Sequence, residues 1–169
     1  MRKYIIPGII VLLLLLIAGG YTLYHFVTGS PWQGTWWGVQ EAGVNWSGDS
    51  IRNLETVTFT KNDDGTVNVV HRVQHGSKEV EGSLTGTGTI DGGRLLIAPR
   101  DGTREKTLSY HTVSKDIETS LTHEDGTPVT LVPLTEENNE EMENIRSEIV
   151  KTSQKPENKI DTTLSGAMS

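Results

Sequence analysis

The sequence predicts a small all-β domain, an antiparallel up-and-down β-barrel of about eight strands, carried on one N-terminal transmembrane helix and followed by a short acidic C-terminal helix. Three observations lead there. Residues 5–27 form an uncharged apolar run apart from His25. Between Trp32 and Leu134 the apolar residues alternate with a period of two, and no helical periodicity interrupts them. Turn signals rich in Asp and Gly punctuate that stretch at intervals of about ten residues, the texture of a meander of short strands.

The N-terminal run predicts the anchor. At about 1.5 Å per residue, residues 5–27 span roughly 35 Å, enough for a hydrocarbon core of about 30 Å. Pro7 falls in the first turn, where its missing N–H costs little. Tyr21, Tyr24, Phe26 and then Trp32 form an aromatic belt on the distal side. Arg2 and Lys3 precede the helix, and no Lys or Arg follows it before Arg52. That asymmetry predicts a single-pass protein of the cell membrane, with residues 1–4 cytoplasmic and the domain extracytoplasmic. The rival reading is a cleaved signal peptide cut after Gly20, with Ala18 and Gly20 as the small residues. Against it, the apolar character continues through Val27. Both readings export the domain.

Composition narrows what the exported part can do. The chain has 169 residues, of which 30–134 remain for a folded core, a length that folds alone with a thin margin. The net charge is −7, and Arg2 and Lys3 lie on the far side of the anchor, so the domain is more acidic than the whole. An acidic surface repels phosphate backbones, which argues against nucleic-acid partners. It also gives no electrostatic reason to lie on anionic lipid. No cysteine occurs, which excludes disulfides, thiolate chemistry and lipidation of a cysteine. Contact with membrane lipid is therefore expected through residues 5–27 alone.

The predicted strands are Gly34–Gln40, Asn53–Thr60, Thr66–Gln74, Lys78–Ile90, Arg94–Ala98, Lys106–Val113, Ile117–Thr122 and Pro128–Leu134. Val57 and Phe59 share one face of the second; Val67, Val69, His71 and Val73 share one face of the third. In the long fourth segment Val80, Gly82, Leu84, Gly86, Gly88 and Ile90 fall together. Glycines on that face mark bends or close backbone approach, which suits a strand coiling around a small closed barrel. An open sandwich is the alternative arrangement. Asp63-Asp-Gly65, Asp91-Gly-Gly93, Asp101-Gly102 and Asp125-Gly126 read as turns. After Leu134, residues 135–151 predict an acidic helix with Thr135 as N-cap and Met142, Ile145 and Ile149 as a narrow apolar stripe. Residues 152–169 are polar and predict a disordered tail.

The segment Trp32-Gln-Gly-Thr-Trp-Trp-Gly38 resembles the first strand of calycin barrels, the lipocalin and avidin-like group, through its Gly-x-Trp. The resemblance implies that Gly34 permits the tight entrance and that Trp36 plugs one barrel end. It also implies binding of small molecules rather than their transformation. The arginine that lipocalins usually place over the tryptophan from the last strand is missing from Pro128–Leu134, and the middle lipocalin motif is not evident.

Candidate sites are few. His71 and His75 lie about 13 Å apart on a strand, too far to share a metal ion. His111 and His123 read as surface imidazoles near hairpin ends. Ser47 lacks the Gly-x-Ser-x-Gly elbow, and the Gly-rich stretch 82–93 opens no helix, so no catalytic residue, metal or cofactor is expected and the chain does not read as an enzyme. Asn45-Trp-Ser47 fits a glycosylation acceptor in a eukaryotic secretory pathway. The tryptophans lead: Trp36 and Trp37 must face opposite sides of one strand. Trp37 with Trp46 is thus a candidate binding face, or Trp37 is covered by the acidic helix or the bilayer. The expectation is an accessory or interaction protein of the cell envelope with an envelope protein as partner. The alternative is a calycin-like binder of a small apolar ligand.

Overall fold

A computed structural model describes residues 30–45 and 48–153. The predicted membrane helix at 5–27, Trp46 and most of the predicted tail lie outside the described residues. The chain divides into two compact units, 1–33 and 34–169, and the second holds the β-domain. In the first, Trp32 is buried and its backbone N–H donates to Ser30 Oγ at 3.3 Å.

Nine strands and one helix form the second unit: β1 (Gly34–Val44), β2 (Ser50–Lys61), β3 (Val67–His75), β4 (Lys78–Glu81), β5 (Gly86–Asp91), β6 (Arg94–Pro99), β7 (Lys106–His111), β8 (Asp116–Thr122), β9 (Pro128–Pro133) and α1 (Glu136–Ser153). All pairings are antiparallel, in the order β2-β1-β9-β8-β7-β6-β5-β3, and β3 pairs back onto β2 from Lys61↔Val67 to Asn53↔His75. That last pairing closes the sheet, so the domain is an eight-strand barrel, compatible with a calycin-like fold, rather than an open sandwich. Closure removes the free edges that an open meander would expose.

The long fourth strand predicted at Lys78–Ile90 is two. β4 follows β3 at Arg72–His75, and β5 follows it at Val67–Val69. Between them, residues 82–85 turn inward, with Thr85 N–H donating to the Gly82 carbonyl at 3.2 Å. Alternation is blind to this break, because Gly82, Leu84 and Gly86 keep one parity through the turn. The first hairpin is longer than predicted: β1 continues to Val44 and β2 begins at Ser50, with a register shift between Glu41 and Val44. Gly43, at a φ of 113°, takes up the irregularity.

The interior is filled by Trp36, Val57, Phe59, Val67, Val69, Leu84, Leu95, Ile97, Leu108, Ile117, Val129 and Leu131, all buried. Gly38 lets β1 and β9 approach, since a Cβ there would strike the Thr130 carbonyl. A second apolar layer lies outside the barrel. Trp37 and Leu54, pointing outward from β1 and β2, pack with Met142 and Ile149 of α1, and Val39, Leu134 and Ile145 fill in around them. The helix begins on a reciprocal cap: Thr135 N–H donates to Asn138 Oδ1 at 2.8 Å and Asn138 N–H to Thr135 Oγ1 at 3.4 Å. It ends at Ser153, two residues past the predicted boundary at 151. Among the described residues no helix is long and apolar enough to cross a membrane.

Candidate functional site

The two ends of the barrel differ chemically. Where the chain enters, Gly34 has a φ of 85° and Trp36 meets Tyr110 edge to face, with ring centroids 6.3 Å apart. Phe59 and Val67 complete this apolar end. Toward the opposite end the same inward faces turn polar. Alternation carries β1 from Trp36 to Gln40, β2 from Phe59 back to Glu55 and Asn53, and β3 from Val67 to His71 and His75.

Those polar side chains are linked. Gln40 Nε2 donates to the Thr122 carbonyl at 2.8 Å, and Asn53 Nδ2 donates to Gln40 Oε1 at 3.1 Å. Asn53 Oδ1 faces His75 Nδ1 at 2.8 Å. The chain spans β8, β1, β2 and β3 across the barrel mouth. Beside it lies a groove of about 970 Å³, lined by Glu41, Ser50, Arg52, His75, Glu148 and Lys151 among others. Its wall is pinned where Arg52 meets Glu148 of α1 at 2.7 Å and where Ser50 Oγ donates to Glu41 Oε2 at 2.6 Å. The groove therefore offers both signs of charge, with backbone from the β1–β2 loop and the β3–β4 turn.

Beneath the mouth, Glu55 and His71 form a pair at 2.6 Å, and both side chains are at most 2% exposed. His71 Nδ1 accepts the Leu84 N–H at 3.2 Å. An atom that accepts carries no proton, so the hydrogen bonding assigns the imidazole proton to Nε2, which donates to Glu55 Oε2. The ring also lies against Gly82, where a Cβ would collide with it.

Of the residues singled out from the sequence, Trp36 is inside the barrel and Trp37, 5% exposed, is under α1. Met142 and Ile149 occupy the surface that Trp37 would offer a ligand. Trp46 lies outside the described residues. His71 and His75 have separate partners, Glu55 and Asn53. His111 Nδ1 faces Asp116 Oδ1 at 2.9 Å, and His123 Nδ1 accepts the Glu41 N–H at 3.0 Å. No group of three or more His, Asp or Glu placed to hold a metal ion occurs among the described residues. The buried pair was missed although its signal was present: Glu55 has the inward parity of Val57 and Phe59, as His71 has that of Val67 and Val69. An acid and a base at inward positions of consecutive strands are an invitation to pair.

Three further carboxylates close turns. Asp64, Asp101 and Asp125 each accept two hydrogen bonds from the threonine two residues on, one from its hydroxyl and one from its backbone N–H. For Asp64 and Asp125 the threonine hydroxyl leads in holding the carboxyl below its ordinary value; for Asp101 the Thr103 backbone N–H leads. No protein-family model matches the chain, and no curated protein matches it.

Proposed function

We propose that the chain is a membrane-anchored, extracytoplasmic accessory protein of the cell envelope whose barrel is a recognition module without catalytic activity. One observation carries this reading. The barrel interior is occupied by its own side chains, Phe59, Leu95, Leu108 and Leu131 among them, while an open groove with fixed charges lies at the polar mouth. Function then resides on the rim, where Arg52, Glu148 and Lys151 can pair with the side chains of an envelope protein. The membrane anchor rests on the sequence of residues 5–27 and its flanking charges. A calycin-like container for a small apolar ligand ranks second, because such a site needs roughly 300 Å³ or more of apolar space, and the buried Val, Leu and Phe side chains already fill the centre.

The test uses photo-crosslinking side chains placed at Ser50 and Thr152 on the groove, with Glu118 on the outward face of β8 as control, in native membranes. The reading expects one recurrent neighbour from both groove positions and not from Glu118, reduced by Trp46→Ala if the adjoining loop contributes. Identical neighbours from all three positions, or none from the groove, would refute it.

A further inference from the structure

We infer that the Glu55–His71 pair is a proton-operated latch on the inward turn between β4 and β5. Most of the hydrogen bonds that tie the turn to its surroundings go to His71, beside the Arg100 N–H that donates to the Thr85 carbonyl at 2.8 Å. Gly82 N–H donates to the His71 carbonyl at 2.9 Å, and the His71 N–H donates to Thr85 Oγ1 at 3.1 Å. Thr85 Oγ1 lies 3.3 Å from the His71 carbonyl, to which it donates. The Leu84 N–H is accepted by Nδ1 of the ring. These contacts drive Leu84 fully into the core at the one place where β3 changes partner from β5 to β4.

The latch is closed only while Nδ1 has its lone pair. A proton delivered from water to Nδ1 converts the acceptor into a donor, so two N–H groups then face each other and the Leu84 amide is left buried without a partner. Nε2–H still satisfies Glu55. The imidazolium relieves the conflict by releasing the turn, which withdraws Leu84 and opens the barrel wall between β3 and β5. The groups facing the ring are few. From β2 comes the Glu55 carboxyl; from the turn come Gly82, Leu84 and Thr85, none of which titrates. On β3 itself the inward neighbours are Val69 and Val73, with His75 farther out and bonded to Asn53. Arg72 alternates to the outside, opposite Glu81, and Arg100 pairs with Glu81 at 3.7 Å on the surface. Among the described residues Glu55 is the other titratable side chain fully buried in this interior.

Amide hydrogen exchange of Leu84 and Thr85, referenced to an unstructured peptide at each pH, tests the latch in the full chain. Protection of both is expected to fall by about tenfold per pH unit below the midpoint, while Leu131 on the far wall stays unchanged. Glu55→Gln keeps an acceptor for Nε2 and removes the carboxyl, so the response should persist. His71→Phe should abolish it. Loss of the response in Glu55→Gln would assign the proton to Glu55 and overturn the inference, as would pH-independent protection in the native chain. Should His71→Phe not fold, ring-nitrogen NMR of the native chain decides: Nδ1 protonated at neutral pH overturns the latch.

Discussion

Replacing Gly82 by alanine puts the buried pair under direct load. Gly82 does not adopt a positive φ, so alanine meets no backbone strain there, and reduced freedom of the unfolded chain would by itself favour the variant by about 0.4–1 kcal/mol. Sterics reverse the sign. The new Cβ would sit well inside van der Waals contact of the His71 Nδ1, Cε1 and Cγ atoms. The ring cannot step aside freely, because Glu55 holds Nε2 and the Leu84 amide holds Nδ1. Overpacking of this kind costs about 1–3 kcal/mol. If the ring swings off Glu55, a buried carboxyl loses its hydrogen-bond partner, which adds about 1–3 kcal/mol. Both are large fractions of a typical stability of about 5–15 kcal/mol. Urea unfolding followed by far-ultraviolet circular dichroism measures the loss as a lower midpoint at unchanged slope. Gly93→Ala is the control, since its Cβ would meet nothing nearer than the Tyr110 carbonyl at 3.8 Å. Equal midpoints for Gly82→Ala and Gly93→Ala would refute the packing assigned to the turn.

Ile149→Ala, at 5% exposure on the inner face of α1, should cost about 2–4 kcal/mol and shift Trp37 emission to the red as water reaches the indole. Arg52→Ala should cost under about 1 kcal/mol, less at high salt, because Glu148 is 61% exposed; denaturant midpoints at two ionic strengths check both points. The depressed carboxyls of Asp64, Asp101 and Asp125 stabilise the fold at pH values above the ordinary 3.8 and lose that contribution as pH falls through their lower folded values. Changing all three to Asn should therefore flatten the acid limb of the stability–pH curve below about pH 4, measured by thermal unfolding, and an unchanged limb would count against the turn geometry.

The legible parts of the fold were those set by local chemistry. Val57 and Phe59, or Val67 and Val69, announce their strand and its inner face, because a pleated chain alternates sides regardless of its neighbours. The Asp-Gly turns at 101 and 125 and the N-cap at Thr135 are equally local. The break in the fourth strand was not legible. It depends on four hydrogen bonds between the turn and His71, a residue on another strand, and no pattern within residues 78–90 encodes them. Trp37 illustrates the same limit: alternation requires it to leave the barrel, but only the docking of Met142 and Ile149 decides that it meets a helix and not solvent.

The sequence alone therefore determined an all-β domain with one apolar face per strand, an acidic helix behind it, and an apolar N-terminal run that reads as an anchor. Tertiary structure decided closure through the pairing of β2 with β3, the helix over Trp37, and the joining of Glu55 to His71. The physical reason is range. Propensity and periodicity are set by neighbours along the chain, whereas closure and a buried hydrogen-bonded pair are fixed by the register between strands.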